Sequence, residues 1–138
     1  MLWFYYALIG AFLIAIETIA LKKLTQMNLS NIAINTLVFT GVAVAMLVYF
    51  FISKSDISLK KEHIKWVAIA IVSTFLFIIL SLEAFKLAPN PGYVNAIQGF
   101  CAVIVTVLSI FIFGTTFSVV KFIGIIFVLI GIFAIGYG

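Results

Sequence analysis

Five apolar runs take up most of this chain: Leu2–Leu21, Ile32–Ser53, Trp66–Leu87, Tyr93–Gly114 and Ser118–Tyr137. A helix rises ~1.5 Å per residue, so a run of about 20–22 residues crosses the ~30 Å hydrocarbon core of a bilayer. No water is present at that depth to satisfy peptide groups, so such runs must be helical. The pattern predicts an all-α integral membrane protein, with five transmembrane helices in one domain over residues 1–138. Composition excludes the soluble alternative. With 66% hydrophobic and 9% charged residues and a mean hydropathy of +1.38, the surface could not be kept wet.

The connections are short. Lys22–Asn31 ends in Ser30 or Asn31, either a good N-cap for the second helix. Lys54–Lys65 (KSDISLKKEHIK) is the only strongly polar segment, and His63 within it reads as a solvated loop residue. Ala88-Pro89-Asn90-Pro91-Gly92 reads as a tight turn, because two prolines cannot continue a helix. Thr115-Thr116-Phe117 is shorter still, which makes helices three to five sequential antiparallel neighbours. The first helix has no basic stretch before it and no small-residue cleavage site after it, so it is expected to be retained. All eight basic residues are lysines, set mainly at helix ends, which points to membrane orientation and not to nucleic acid. With the N-terminus inside, the lysines divide five against three, a weak bias that leaves room for insertion both ways. The plasma (inner) membrane is the expected location.

One carboxylate, Glu17, lies inside the first run. At helical spacing it shares a face with Trp3, Tyr6, Gly10, Leu13 and Ala20. An acid at that depth is costly, on the order of 1–3 kcal/mol, unless it meets a partner or a water-filled cavity. Three readings are open: a structural pair with Lys22 or Lys23, a carboxylate that binds a proton or cation, and an acid without function. The second is favoured. Losing water disfavours the charged carboxylate, so a proton and a cationic solute compete for one site. Trp3 and Tyr6 would add cation–π attraction.

The fourth run carries a polar stripe, Asn95, Gln98, Ala102, Thr106 and Ser109, on one helical face. Such a stripe lines a pathway or glues helices together, since lipid offers no hydrogen-bond partners. Ser73, Phe77, Ser81 and Ala84 on the third run are compatible with the same cavity. Glu83, three residues before Lys86, has the spacing of an interfacial ion pair. Gly124, Gly131 and Gly138 repeat every seven residues and would let another helix approach closely, within the chain or across a dimer. The one cysteine, Cys101, excludes an internal disulfide. No nucleophile–base pair, metal-ligand cluster or phosphate loop is present, so neither an enzyme nor a bound cofactor is expected.

From Glu83 to Tyr137 the sequence EAFKLAPNPGYVNAIQGF…FGTTFSVVKFIG…GIFAIGY resembles the closing three helices of an EamA-type domain of the drug/metabolite transporter superfamily. GAFLIAIETIALKKL is similar to the opening helix of the small multidrug resistance family, whose membrane glutamate couples protons to substrate. The family turn carries an acid after the glycine; here Thr115 follows Gly114. The resemblance implies a single five-helix repeat unit. Two odd-numbered units in tandem form inverted repeats, so one unit alone is expected to dimerise, as an antiparallel or parallel homodimer or with a related chain. It further implies a transporter of a small organic solute, with Glu17 coupling, Trp3, Tyr6, Gly10, Asn95, Gln98 and Thr106 lining the path, and Gly124 and Gly131 as a packing seam. The competing reading is an accessory membrane subunit or a lipid-linked sugar flippase component. A simple channel lacks support, since no charge ring or filter-like motif is present.

Overall fold

The computed structural model describes residues 2–27, 29–58, 60–114, 116 and 118–137, with only the backbone described at residue 121. Thr115, Phe117 and Gly138, which enter the expectations above, lie outside these residues. The described chain is helical throughout: α1 (Leu2–Thr25), α2 (Asn31–Ile52), α3 (Lys61–Leu87), α4 (Pro91–Gln98), α5 (Cys101–Phe113) and α6 (Val119–Tyr137). It divides into two compact units, Met1–Leu87 and Ala88–Gly138. Among the described residues, Leu2–Thr25, Asn31–Ile52, Lys61–Leu87 and Pro91–Phe113 are long and apolar enough to cross a membrane, and Phe122–Tyr137 is a shorter apolar helix. Helix α6 as a whole runs over 19 residues, Val119–Tyr137. A helix of that length crosses with little tilt or with local thinning of the bilayer.

In the first unit, local chemistry sets the helix boundaries. Helix α1 runs past Leu21 because Lys22 and Lys23 sit favourably in its last turn, and the Thr25 hydroxyl donates to the Lys22 carbonyl at 2.7 Å. Helix α2 is capped by Ser30, whose side chain accepts from the Ala33 N–H at 3.2 Å; this leaves the Asn31 side chain available for another partner. Helix α3 begins at Lys61, not at Trp66. Its polar first turn holds Glu62 near the helix N-terminus, and the Lys60 N–H donates to His63 Nδ1 at 3.3 Å. His63 is therefore a capping residue inside a helix and not a loop histidine.

Helix α1 packs on α2 and α3, and α2 on α3. The buried side chains of this unit gather where the C-terminal halves of α1 and α3 meet the start of α2: Thr18, Ile34, Ser81, Leu82 and Phe85. Lipid is as apolar as leucine, so close fit replaces the hydrophobic drive here, and the small Thr18 and Ser81 let the helices approach. Lys22 fastens the same end, its Nζ donating to the Phe85 carbonyl at 2.7 Å and the Lys86 carbonyl at 3.4 Å. These carbonyls end α3 and have no partner within it. No buried side-chain nitrogen or oxygen among the described residues lacks a hydrogen-bond partner.

In the second unit, Asn90 caps α4 by accepting from the Gly92 N–H at 2.8 Å, and Pro91 takes the first helical position. Helix α4 thus starts two residues before Tyr93. Helix α5 ends at Gly114, whose φ of 61° is left-handed and whose N–H donates to the Ile110 carbonyl at 3.1 Å. Helix α6 packs on α4. Its half-buried residues Ile125, Leu129 and Ile132 recur at helical spacing.

Leu82 and Ile34 are each 1% exposed. Leu82→Ala should lower stability in detergent by about 1–3 kcal/mol, the cavity term of such a truncation. Leu80→Ala, on the exposed side of the same helix, should change it by less than ~0.5 kcal/mol. Thermal melts of the two variants followed by size exclusion measure the difference.

Candidate functional site

The expected fourth helix is interrupted. Its first part, α4, stops at Gln98 and α5 starts at Cys101. Between them the ladder tightens: Gly99 N–H is shared between the Asn95 and Ala96 carbonyls, and Phe100, Ala102 and Val103 N–H groups each reach back three residues. This is a short 3₁₀ stretch within a membrane span, a geometry that marks hinges. Glycine is required there, because a Cβ at residue 99 would lie 2.9 Å from the Ala96 carbonyl oxygen. Asn95 and Gln98, one turn apart, stand at this interruption and are half-buried. Further along the stripe, Thr106 and Ser109 are half-buried and Ala102 is exposed. The Thr106 hydroxyl donates to its own helix at the Ala102 carbonyl, 2.7 Å away.

Glu17 lies elsewhere, on an exposed face of α1. Trp3 and Tyr6, on the same face, are 73% and 68% exposed, Leu13 is exposed, and Gly10 is half-buried with nothing near its Cα hydrogens. Within the first unit, α2 and α3 pack on α1 without walling in that face. The buried side of α1 is the one carrying Thr18. A pair with Lys22 is also excluded as the acid's main partner, because Lys22 is held at the end of α3. Glu17 makes no hydrogen bond or ion pair with a described residue.

The third-helix stripe divides. Ser81 is buried in the packing and Ala84 half-buried, while Ser73 and Phe77 are exposed. Glu83 accepts a hydrogen bond from Asn31 Nδ2 of α2, a tie between helices rather than the ion pair with Lys86 that its spacing suggested. Asn31 and Asn35, at i and i+4, are the residues that reasoning from the fourth-helix stripe passes over. With Thr36 they put a short polar line on α2 facing Glu83. On α6, Gly124 and Gly131 are exposed, and a methyl at either would meet nothing, so this seam is unfilled within the second unit.

A multi-pass helical membrane protein with an interrupted span and amide side chains at the interruption has the build of a transporter unit. The EamA-like transporter family matches residues 1–137, and the chain belongs to that family. No curated protein and no solved structure matches it significantly.

Gly99→Ala should straighten or displace the interruption. The maleimide labelling rate of Cys101, the chain's one cysteine and an exposed one, should change severalfold. A rate equal to that of the parent protein would mean that the glycine sets no special geometry.

Proposed function

We propose that the protein is a small secondary transporter of the drug/metabolite type, moving a small organic solute across the plasma membrane by proton-coupled exchange and working as a dimer of five-span units. The observation that carries this reading is the interruption at Gly99–Phe100 beside Asn95 and Gln98. Transporters build solute sites at such interruptions, where side-chain amides and freed backbone carbonyls replace the water a solute loses. Thr106 extends the same polar line toward the far end of α5.

Glu17 is the coupling residue in this scheme. Its face is apolar, with Tyr6 and Trp3 toward the start of α1, and is uncovered within the first unit. A charged acid at that depth costs on the order of 1–3 kcal/mol when it faces lipid. Covering the face with a second unit removes that contact with lipid. There a cationic solute meets the acid, and a proton takes its place when the solute leaves; Tyr6 and Trp3 lie about 17 and 21 Å further along the continuous helix α1, where their ring faces would line the route to it. The open seam at Gly124 and Gly131 gives a second helix a place to lie.

Glu17→Gln should insert and fold normally yet lose proton-coupled flux in proteoliposomes. Undiminished flux of this variant would refute the role of Glu17.

A further inference from the structure

Helices α2 and α3 leave an open groove on the first unit, away from Glu17. Its upper section, about 740 Å³, carries Asn31, Asn35, Thr36, Glu83 and Lys86. A second section of about 490 Å³ shares Asn35, Thr36, Phe75 and Ile79 with the first and runs on to Phe39 and Ala70. The groove is thus polar at one end and apolar below. Ile32 and Leu80, 80% and 68% exposed, leave it open at the side.

Its depth matches one leaflet. From Glu83 to Ala70 along α3 is about 20 Å at ~1.5 Å per residue. Half of the ~30 Å hydrocarbon core plus part of an interface gives a similar length. Glu83 and Lys86 lie in the last turns of α3, beside the capped start of α2, where headgroups sit. The two charges are neighbours on α3 but are not paired with each other. Glu83 Oε2 accepts from Asn31, and the Lys86 ammonium has no ion pair among the described residues.

We propose that this groove is a lipid site for an amine-bearing zwitterionic phospholipid. Its ammonium rests against Glu83, its phosphate against Lys86, and one acyl chain lies along Phe75 and Ile79 toward Ala70. Charge complementarity selects a zwitterion, and the Glu83 carboxylate, an acceptor, favours a primary ammonium with N–H donors over a quaternary one. An anionic lipid would set its phosphate against Lys86 and leave Glu83 facing like charge. A neutral glyceride would leave both groups without a counter-charge. A helix from a second copy would place apolar side chains over them. The site is independent of the transport reading, because Glu17 takes no part in it.

Native mass spectrometry of protein extracted from vesicles of equal phosphatidylethanolamine, phosphatidylcholine and phosphatidylglycerol tests the assignment. The parent chain should retain phosphatidylethanolamine in preference to the other two. Glu83→Gln keeps an acceptor for Asn31, so folding should persist, while retention of phosphatidylethanolamine should fall about two- to fivefold, as loss of one exposed charge contact gives. Ala70→Phe, which fills the lower end, should reduce retention of all three lipids. Glu17→Gln should leave lipid retention unchanged, which separates failure of this site from failure of the coupling assignment. Equal retention of the three lipids, no effect of Glu83→Gln, or a cross-link placing a second copy's helix in the groove would overturn the proposal.

Discussion

Lipid offers helices neither water to flee nor partners for polar groups, and the packing of this chain follows from that. Between membrane helices, only close fit and hydrogen bonds distinguish a neighbour from an acyl chain. In the first unit both are concentrated at one end. Thr18, Ile34, Ser81, Leu82 and Phe85 interlock, and Lys22 holds the carbonyls that finish α3. The start of α1, the later turns of α2 and the first half of α3 expose their apolar side chains. A unit fastened at one end and sparsely packed at the other has its low-stability region built in, and moving elements are drawn from such regions.

The two membrane-facing acids have different settings. Glu83 stands in the last turns of α3, with an amide from α2 and a lysine one turn away. Glu17 is nearer mid-span, among apolar residues, with no described partner. An acid at the interface can be served by headgroups and water. One at depth needs something else to cover it. This contrast is why coupling is assigned to Glu17 and headgroup recognition to Glu83.

Much of the fold was legible in the sequence. Apolar run length alone marks the helices, since nothing but a helix satisfies its backbone in lipid. The Ser30 cap and the proline turn followed from local chemistry. Boundaries were less legible where polar residues are helical. Lys22–Thr25 and Lys61–Lys65 continue α1 and α3 because end charges and side-chain caps support them at the interface. The interruption at Gly99 was hidden because Asn95 and Gln98 read as part of one continuous helical stripe and because glycine is common in membrane helices. Of the candidate site, the polar stripe on the fourth run was readable from spacing. The tie between Asn31 and Glu83 was not, because it joins helices through tertiary placement that no single-helix periodicity encodes. The exposure of the Glu17 face was equally hidden, since periodicity tells which residues share a face and not what covers it.

The central proposal is that the acid-bearing face of α1 meets a second chain. A photoreactive amino acid at Leu13, on that face and exposed, reports its neighbour directly in native membranes. Capture of a second chain, giving an adduct of dimer mass, is the expected result. Adducts of monomer mass carrying only lipid would contradict the claim and leave Glu17 facing the bilayer.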